Sequence, residues 1–325
     1  MDGTRITDSI FSNTIQNQEE YQYLNLVEKI IEKGHDESGR NGVTRSVFGE
    51  SMRFSLSNGK IPILTTKKTA WKTCLKELLW FIRGQTDVRI LQEQNVHIWD
   101  GNTTRDFLNS RGLYNLPEGF IGPGYGWQWR NFNGEYQPCN CDAYKNGACT
   151  CGCTIKCECS QPGRFGVDQL QQIINTLKDP SQRTSRRLVM TAWNPSQLDQ
   201  MALPPCHILC QFNVHDGNKL SCSLYQRSVD VALGSPINIA SYSFLTHLIA
   251  KHCGLEAYEF VYFMGNAHLY EDHIEPIQIQ LERVPYAFPT VYIPTVRDNI
   301  DDYEVSDFIV SDYKSYEQIK MKMVV

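Results

Sequence analysis

No stretch of this chain is long and apolar enough to cross a membrane. The two most apolar runs, Glu77–Ile82 and Asn238–Ala250, are short, broken by polar residues, and read as buried helix. Residues Met1 to Glu20 are polar, with no apolar core and no small-residue cleavage site, so they read as an N-terminal extension rather than a secretory signal. They also lack the arginine-rich pattern of a transit peptide, and a cytoplasmic protein is expected. No charge predominates: 31 basic and 36 acidic side chains leave a formal net charge of -5. That balance supports binding to neither RNA, DNA nor an anionic membrane. There is no G-x-G-x-x-G, no P-loop glycine run, no βαβ alternation and no internal repeat. Nucleotide cofactors of those two kinds are therefore disfavoured. The 12 cysteines include no C-x-x-C pair, and a disulfide scaffold does not suit a chain of 325 residues without a signal peptide.

What is present is an ordinary globular composition, 41% hydrophobic and 21% charged. A chain of this size buries roughly 75% of its unfolded surface, so core formation is not limiting. Tyr21–Lys33 carries Leu24, Val27, Ile30 and Ile31 at helical spacing. Gly39–Arg45 reads as a polar loop, and Ser46–Leu56 alternates like a strand. Thr69–Arg83 is predicted as a helix with Gly84 as its C-terminal stop, and Gly166–Lys178 as another, with Val167 on its apolar face. His207–Val214 and Lys219–Gln226 flank Asp216-Gly217-Asn218, a hairpin signal. Pro236–His252, apolar nearly all round and followed by Gly254, predicts a helix inside the protein. Phe260–Met264 reads as a strand, and the tail alternates again through Phe308–Val310 and Ile319–Val325. The sum is an α+β protein on a large mixed, mainly antiparallel sheet packed against helices.

Several residues have the chemistry of a site. Cys206 follows Pro204 and Pro205 at a strand entrance, where two fixed φ angles hold the thiol in place. It is either a nucleophile or a buried structural cysteine. Arg227 closes the same hairpin, either lowering the thiol pKa and binding an anion or making a surface ion pair. Arg186 and Arg187 precede a strand, and with Arg40 and Arg227 they suffice for a phosphate. Glu77 is either exposed at the edge of its helix stripe or buried with a raised pKa suited to acid–base work. Asn238 either caps a helix or reads the edge of a heterocycle. His268 and Tyr270 share one side of an extended segment, and Trp99, Asp100 and Asn102 form a polar–aromatic cluster.

The longer runs around these residues carry a resemblance. Ala202-Leu203-Pro204-Pro205-Cys206-His207, Leu224–Asp230 and Pro236–Tyr242 resemble the central signatures of the thymidylate synthase family. Gly265–Tyr270, Glu77–Phe81 and Ile98–Asn102 match the same family in the same order. The resemblance runs from about Tyr21 to the C-terminus as one catalytic domain, 21–325, interrupted by a cysteine-rich insertion at 138–161. It implies a homodimer with sheets back to back, and reductive methylation of dUMP to dTMP by 5,10-methylenetetrahydrofolate with release of dihydrofolate. It implies that Cys206 adds to C6 of dUMP, that Glu77 organises proton transfer, and that Tyr125 and His207 handle the C5 proton. Gln226, Arg227, Ser228 and Arg40 would bind the nucleotide, with Arg186 and Arg187 from the second subunit. Asn238 would pair with the O4/N3 edge of uracil, while His268 and Tyr270 hold the 3′-hydroxyl. Lys67, Trp99, Asn102, Asp230, Leu233, Gly234, Ile237 and Val325 would line or close the folate site.

The sequence departs from the family pattern in a few places. The loop at Arg40 is one residue short, which favours Arg40 over Arg45 as the phosphate arginine. Ile237 stands where phenylalanine is common, Asn266 where aspartate is usual, and Val324 where a small residue is usual. The insertion holds Cys139, Cys141, Cys149, Cys151, Cys153, Cys157 and Cys159 at C-x-C spacings, and is either a zinc site or a loop of reduced thiols. A deoxycytidylate hydroxymethylase would carry aspartate at 238, so Asn238 favours dUMP. Intact Cys206, Glu77 and Asn238 weigh against a catalytically silent binding protein. About twenty residues precede the first matching helix, too few for a fused dihydrofolate reductase.

Overall fold

The structure, a computed structural model, describes residues 17–39, 42–136 and 166–323. Arg40, the seven clustered cysteines, Val324 and Val325 lie outside the described residues. Helix α1 (Gln18–Lys33) opens on Asn17, whose side chain accepts from the Glu20 amide, and buries Leu24, Val27 and Ile30. Strands β1 (His35–Gly39) and β2 (Gly42–Ser55) then form an antiparallel hairpin. The polar loop expected over 39–45 is therefore mostly strand. Every residue of β1 is exposed, so the segment has no apolar alternation to betray it.

Helix α2 (Trp71–Ile82) ends as its sequence predicts. Gly84 takes a φ of +67°, its amide bonds the Phe81 carbonyl, and the Gln85 amide returns to the Trp80 carbonyl. Three short helices follow, α3 (Arg89–Gln92), α4 (Arg105–Ser110) and α5 (Gly126–Asn131), then α6 (Gln169–Lys178) with Asp168 as its cap. Val167 is not on that helix. It pairs with Phe132 in an isolated bridge and is largely exposed, because the helix starts only after Asp168.

Strands β3 (Val189–Thr191), β4 (His207–His215) and β5 (Lys219–Asp230) lead to helix α7 (Gly234–His252) and strand β6 (Glu256–Tyr270). The hairpin turns at Asp216 and Gly217, both at positive φ. Helix α8 (Glu271–Leu281) and the small pair β7 (Thr290–Tyr292) and β8 (Ile309–Ser311) complete the described chain. Beyond β8, Ile319 to Met323 is not strand. Ile319 is buried singly, and among the described residues no strand pairs with this stretch.

The main sheet runs β1-β2-β6-β5-β4-β3, antiparallel throughout except for β5 against β6, which are parallel. One β–α–β crossover thus exists, β5–α7–β6, where none was expected. A single crossover gives no alternation along the chain to detect. Helix α7 runs through the core with nearly every residue buried. Two of its hydroxyls turn back on its own backbone: Ser243 donates to the Ile239 carbonyl and Thr246 to the Tyr242 carbonyl, each at 2.7 Å. Helices α1, α7 and α8 cover one face of the sheet. On the other face Val189, Tyr225 and Phe263 stay 41%, 39% and 44% exposed, and among the described residues no helix covers them.

Candidate active site

Cys206 sits immediately before β4, and two backbone hydrogen bonds fix it. The Tyr125 hydroxyl accepts from its amide at 2.9 Å, and its carbonyl accepts from the Arg227 amide at 2.9 Å. The Arg227 guanidinium donates to the Pro205 and Pro204 carbonyls, both at 2.9 Å, and lies over the Trp193 ring. The proline pair and the hairpin therefore bring Arg227 to the thiol, as their spacing predicts, rather than to a surface carboxylate. One expectation is corrected. Arg227 and Tyr125 both act to lower the Cys206 pKa, but burial outweighs them and holds the thiol above its ordinary value.

Tyr125 occupies a strained backbone position, φ +37° and ψ -98°, just before α5. The cause is a close approach of two helices. A side chain at Gly126 would stand 2.5 Å from the Phe81 carbonyl oxygen, so α5 starts hard against α2. The ring is then locked by stacking on Phe81 and by edge contacts to Trp99 and His207. Burial raises the Tyr125 pKa well above its ordinary value, which keeps the phenol protonated.

Glu77 reaches the same cluster from α2, accepting from the Trp99 indole at 2.8 Å. It keeps partial access to solvent. Even so, enclosure of the carboxyl pushes its pKa up to about 7, against the pull of Trp99. The second of its two readings therefore holds. His207, the first residue of β4, meets the Tyr242 hydroxyl at 3.3 Å. Burial pulls its pKa down to about 4, so the imidazole is neutral near pH 7.

Asn238 is no helix cap, since it lies a turn inside α7 and faces β5. Its Nδ2 donates to Gln226 Oε1 at 3.0 Å, and Gln226 Nε2 donates to the Ser228 carbonyl at 2.9 Å. At the end of β5, Asp230 Oδ1 accepts from the Ala232 and Leu233 amides and so shapes the turn into α7. Lys67 is buried beside it, donating to the Ala232 carbonyl. Burial lowers its pKa to about 8, with Asp230 opposing. Leu233, Gly234 and Ile237 are partly exposed at the start of α7, as Asn102 is beside Trp99. His268 lies across from Asp230 in the sheet, its Nδ1 bonded to Asn266 Oδ1 at 2.9 Å and its ring on the edge of Tyr270. Asparagine at 266 thus still anchors the imidazole.

Other predicted residues stand apart. Arg186 and Arg187 are exposed before β3, and among the described residues no bond ties either to Cys206 or Arg227. Arg45 is held by Asp36 and the Ile31 carbonyl, which leaves it poorly placed to serve a phosphate. Among the described residues no cluster of His, Cys, Asp or Glu is arranged for a metal ion. Sequence reasoning missed Tyr242, Trp193 and Tyr262. Tyr262 had a signal, a phenol at an inward-facing position of an apolar strand, where the hydroxyl requires a partner.

A fixed thiol, a carboxyl titrating near neutrality and a buried amide pair make a cysteine-centred candidate site on an α+β fold. The family profile for thymidylate synthase matches residues 21–325, and the chain belongs to the thymidylate synthase family. It is 48% identical over 326 residues to a "Probable thymidylate synthase" of Schizosaccharomyces pombe, covering 97% of this chain and 49% of that protein. It is 46% identical over 312 residues to a "Bifunctional dihydrofolate reductase-thymidylate synthase" of Leishmania major, covering 95% of this chain and 56% of that one. A protein of the same name from Zea mays is 44% identical over 308 residues, 94% of this chain and 55% of the relative. The chain spans about half the length of the curated relatives it matches.

Proposed function

We propose that this chain catalyses reductive methylation of dUMP to dTMP, taking the methylene group and the hydride from 5,10-methylenetetrahydrofolate and releasing dihydrofolate. The observation that carries this reading is the convergence of Cys206, Glu77, Tyr125 and Asn238, from four separate segments, on one sheet mouth. Cys206 adds to C6 of the pyrimidine and makes C5 a carbon nucleophile. C5 bonds to the folate methylene and then loses its proton, with Tyr125 and His207 handling that proton. The tetrahydrofolate leaves, returns a hydride to the methylene carbon, and the Cys206–C6 bond breaks. Glu77, titrating near neutrality, suits proton exchange with the C4 oxygen and the folate through water.

Arg227 and Ser228 bind the phosphate with Arg40, while His268 and Tyr270 hold the ribose. Lys67, Trp99, Asn102, Asp230, Leu233, Gly234, Ile237 and Val325 line or close the folate side. A homodimer fits the apolar face carrying Val189, Tyr225 and Phe263, and the exposed Arg186 and Arg187 beside it would serve the partner's phosphate site. Free thiols at Cys74, Cys206, Cys210, Cys222 and Cys253 fit a reducing cytoplasmic compartment. No helix among the described residues is long and apolar enough to cross a membrane. For the insertion, the dense thiols at Cys139–Cys159 suggest zinc. Elemental analysis of protein from zinc-supplemented growth is expected to find it, and less than about a tenth of an equivalent would end that reading.

The test of the reaction is turnover with 5,10-methylenetetrahydrofolate and either dUMP or dCMP, following dihydrofolate and product mass. Conversion of dUMP with dihydrofolate release is expected. Hydroxymethylation of dCMP without dihydrofolate would replace the substrate assignment, and failure with both would remove the catalytic one.

A further inference from the structure

Beneath Asn238 lies a chain of polar side chains whose orientations determine one another. Gln226 is buried on the inner face of β5, and its two ends face different chemistry. Its Nε2 donates to the Ser228 carbonyl, a group that only accepts. Its Oε1 therefore points the other way, where it accepts from both Asn238 Nδ2 and the Tyr262 hydroxyl. Turning the Gln226 amide over would set oxygen against oxygen at Ser228 and nitrogen against nitrogen at Asn238.

Tyr262 is wholly buried and its backbone has little freedom, pairing with Met52 of β2 on one side and Leu224 of β5 on the other. Ser235 and Asn238 flank the same phenol. With Gln226 fixed, Asn238 must spend one N–H inward. The positions of its second N–H and its Oδ1 are thereby set in order, with His207 in hydrogen-bonding reach of the same amide.

That order matters for pyrimidines. Uracil presents a carbonyl acceptor at C4 and a donor at N3, whereas cytosine presents an amino donor and an N3 acceptor. An asparagine free to turn over suits either base, and a fixed one suits one. We propose that Tyr262 is a positioning residue for base specificity, which holds the Gln226–Asn238 amide pair in the orientation that accepts uracil and rejects cytosine. The inference rests on the proposed nucleotide substrate and adds a residue that acts on it without touching it.

The experiment is calorimetric binding of dUMP and of dCMP to the full-length protein, with folding checked by thermal unfolding. Tyr262→Phe removes one hydrogen bond to Gln226 and is expected to narrow the dUMP-to-dCMP affinity ratio by about fivefold. Gln226→Met is expected to narrow it further, and adding Tyr262→Phe to that variant is expected to change nothing more, because the relay is already cut. A merely structural role would weaken both nucleotides alike and leave the ratio where it was. An unchanged ratio in Tyr262→Phe, or an equal extra narrowing in the Gln226→Met background, would overturn the proposal. Wild-type protein with no affinity for dUMP would instead overturn the functional reading, and the specificity role with it.

Discussion

Replacing Glu77 by glutamine separates the cost of its buried carboxyl from its use. In the folded chain the carboxyl titrates near 7, because burial penalises its charged form more than the Trp99 bond relieves it. In the unfolded chain it titrates near its ordinary 4.5. Between those values the folded state holds the proton more tightly. Its contribution to stability is complete below about pH 4.5 and is lost as pH rises through about 7. At about 1.4 kcal/mol per pH unit, the gap amounts to about 3 kcal/mol. Glutamine is neutral at every pH and still offers Oε1 to the Trp99 indole. Glu77→Gln should therefore match the wild type in stability near pH 4.5 and exceed it by about 3 kcal/mol near pH 8. Urea unfolding at a fixed protein concentration across that range measures it. Turnover should move the other way, falling on the order of 100-fold or more. A stability difference that does not change with pH would refute the reasoning, since the carboxyl would then not be buried as described.

Cys206→Ala is expected to bind dUMP while turnover falls by about 1,000-fold or more, followed through dihydrofolate absorbance; retention of a tenth of the activity would remove Cys206 as the nucleophile. Glu20 is buried and accepts from the amides and hydroxyls of both Thr65 and Thr66, just before Lys67. Glu20→Ala leaves those donors unpaired, so an unfolding free energy lower by about 3 kcal/mol or more is expected in urea titrations, with weaker folate binding from the loosened Lys67 loop. Phe263→Asp, on the uncovered sheet face, should give a monomer by sedimentation at micromolar concentration and weaken dUMP binding through loss of the partner's arginines; an unchanged dimer would place the interface elsewhere.

Much of this was legible because each signal was local. Helix α2 was readable from its apolar stripe and Gly84, the β4–β5 hairpin from Asp216-Gly217-Asn218, and α7 from its unbroken apolar surface. The site residues were legible as types but not as partners. Composition around Glu77 could not decide its burial, since that depends on Trp99, 22 residues away, folding back over it. The Arg227 effect on Cys206 was read with the right sign and the wrong outcome. Burial of the thiol is a property of the whole cluster, and no nearby residue reports it. The β1–β2 hairpin was hidden because β1 is exposed along its whole length, so no alternation records its two faces.

A second topological feature that the pattern concealed, the crossover from β5 through α7 to β6, is the feature that sets Asn238 against Gln226 and Tyr262. Because α7 begins four residues after Asp230 ends β5, Asn238 is one turn into the helix and faces back onto Gln226. Because the chain returns parallel to β5, β6 sets Tyr262 opposite Leu224, one inward position from Gln226. An antiparallel return by a tight turn would place β6 beside β5 without a helix between them in sequence, and Asn238 would have no element to stand on. The contacts of Cys206 come from the β4–β5 hairpin and the strained Tyr125, which share only β5 with this crossover. Cys206 and Asn238 are joined through β5, where His207 stands opposite Gln226, and through His207 itself, which Asn238 reaches from α7. Substitutions within the crossover should accordingly alter which base is bound before they alter the reactivity of the thiol.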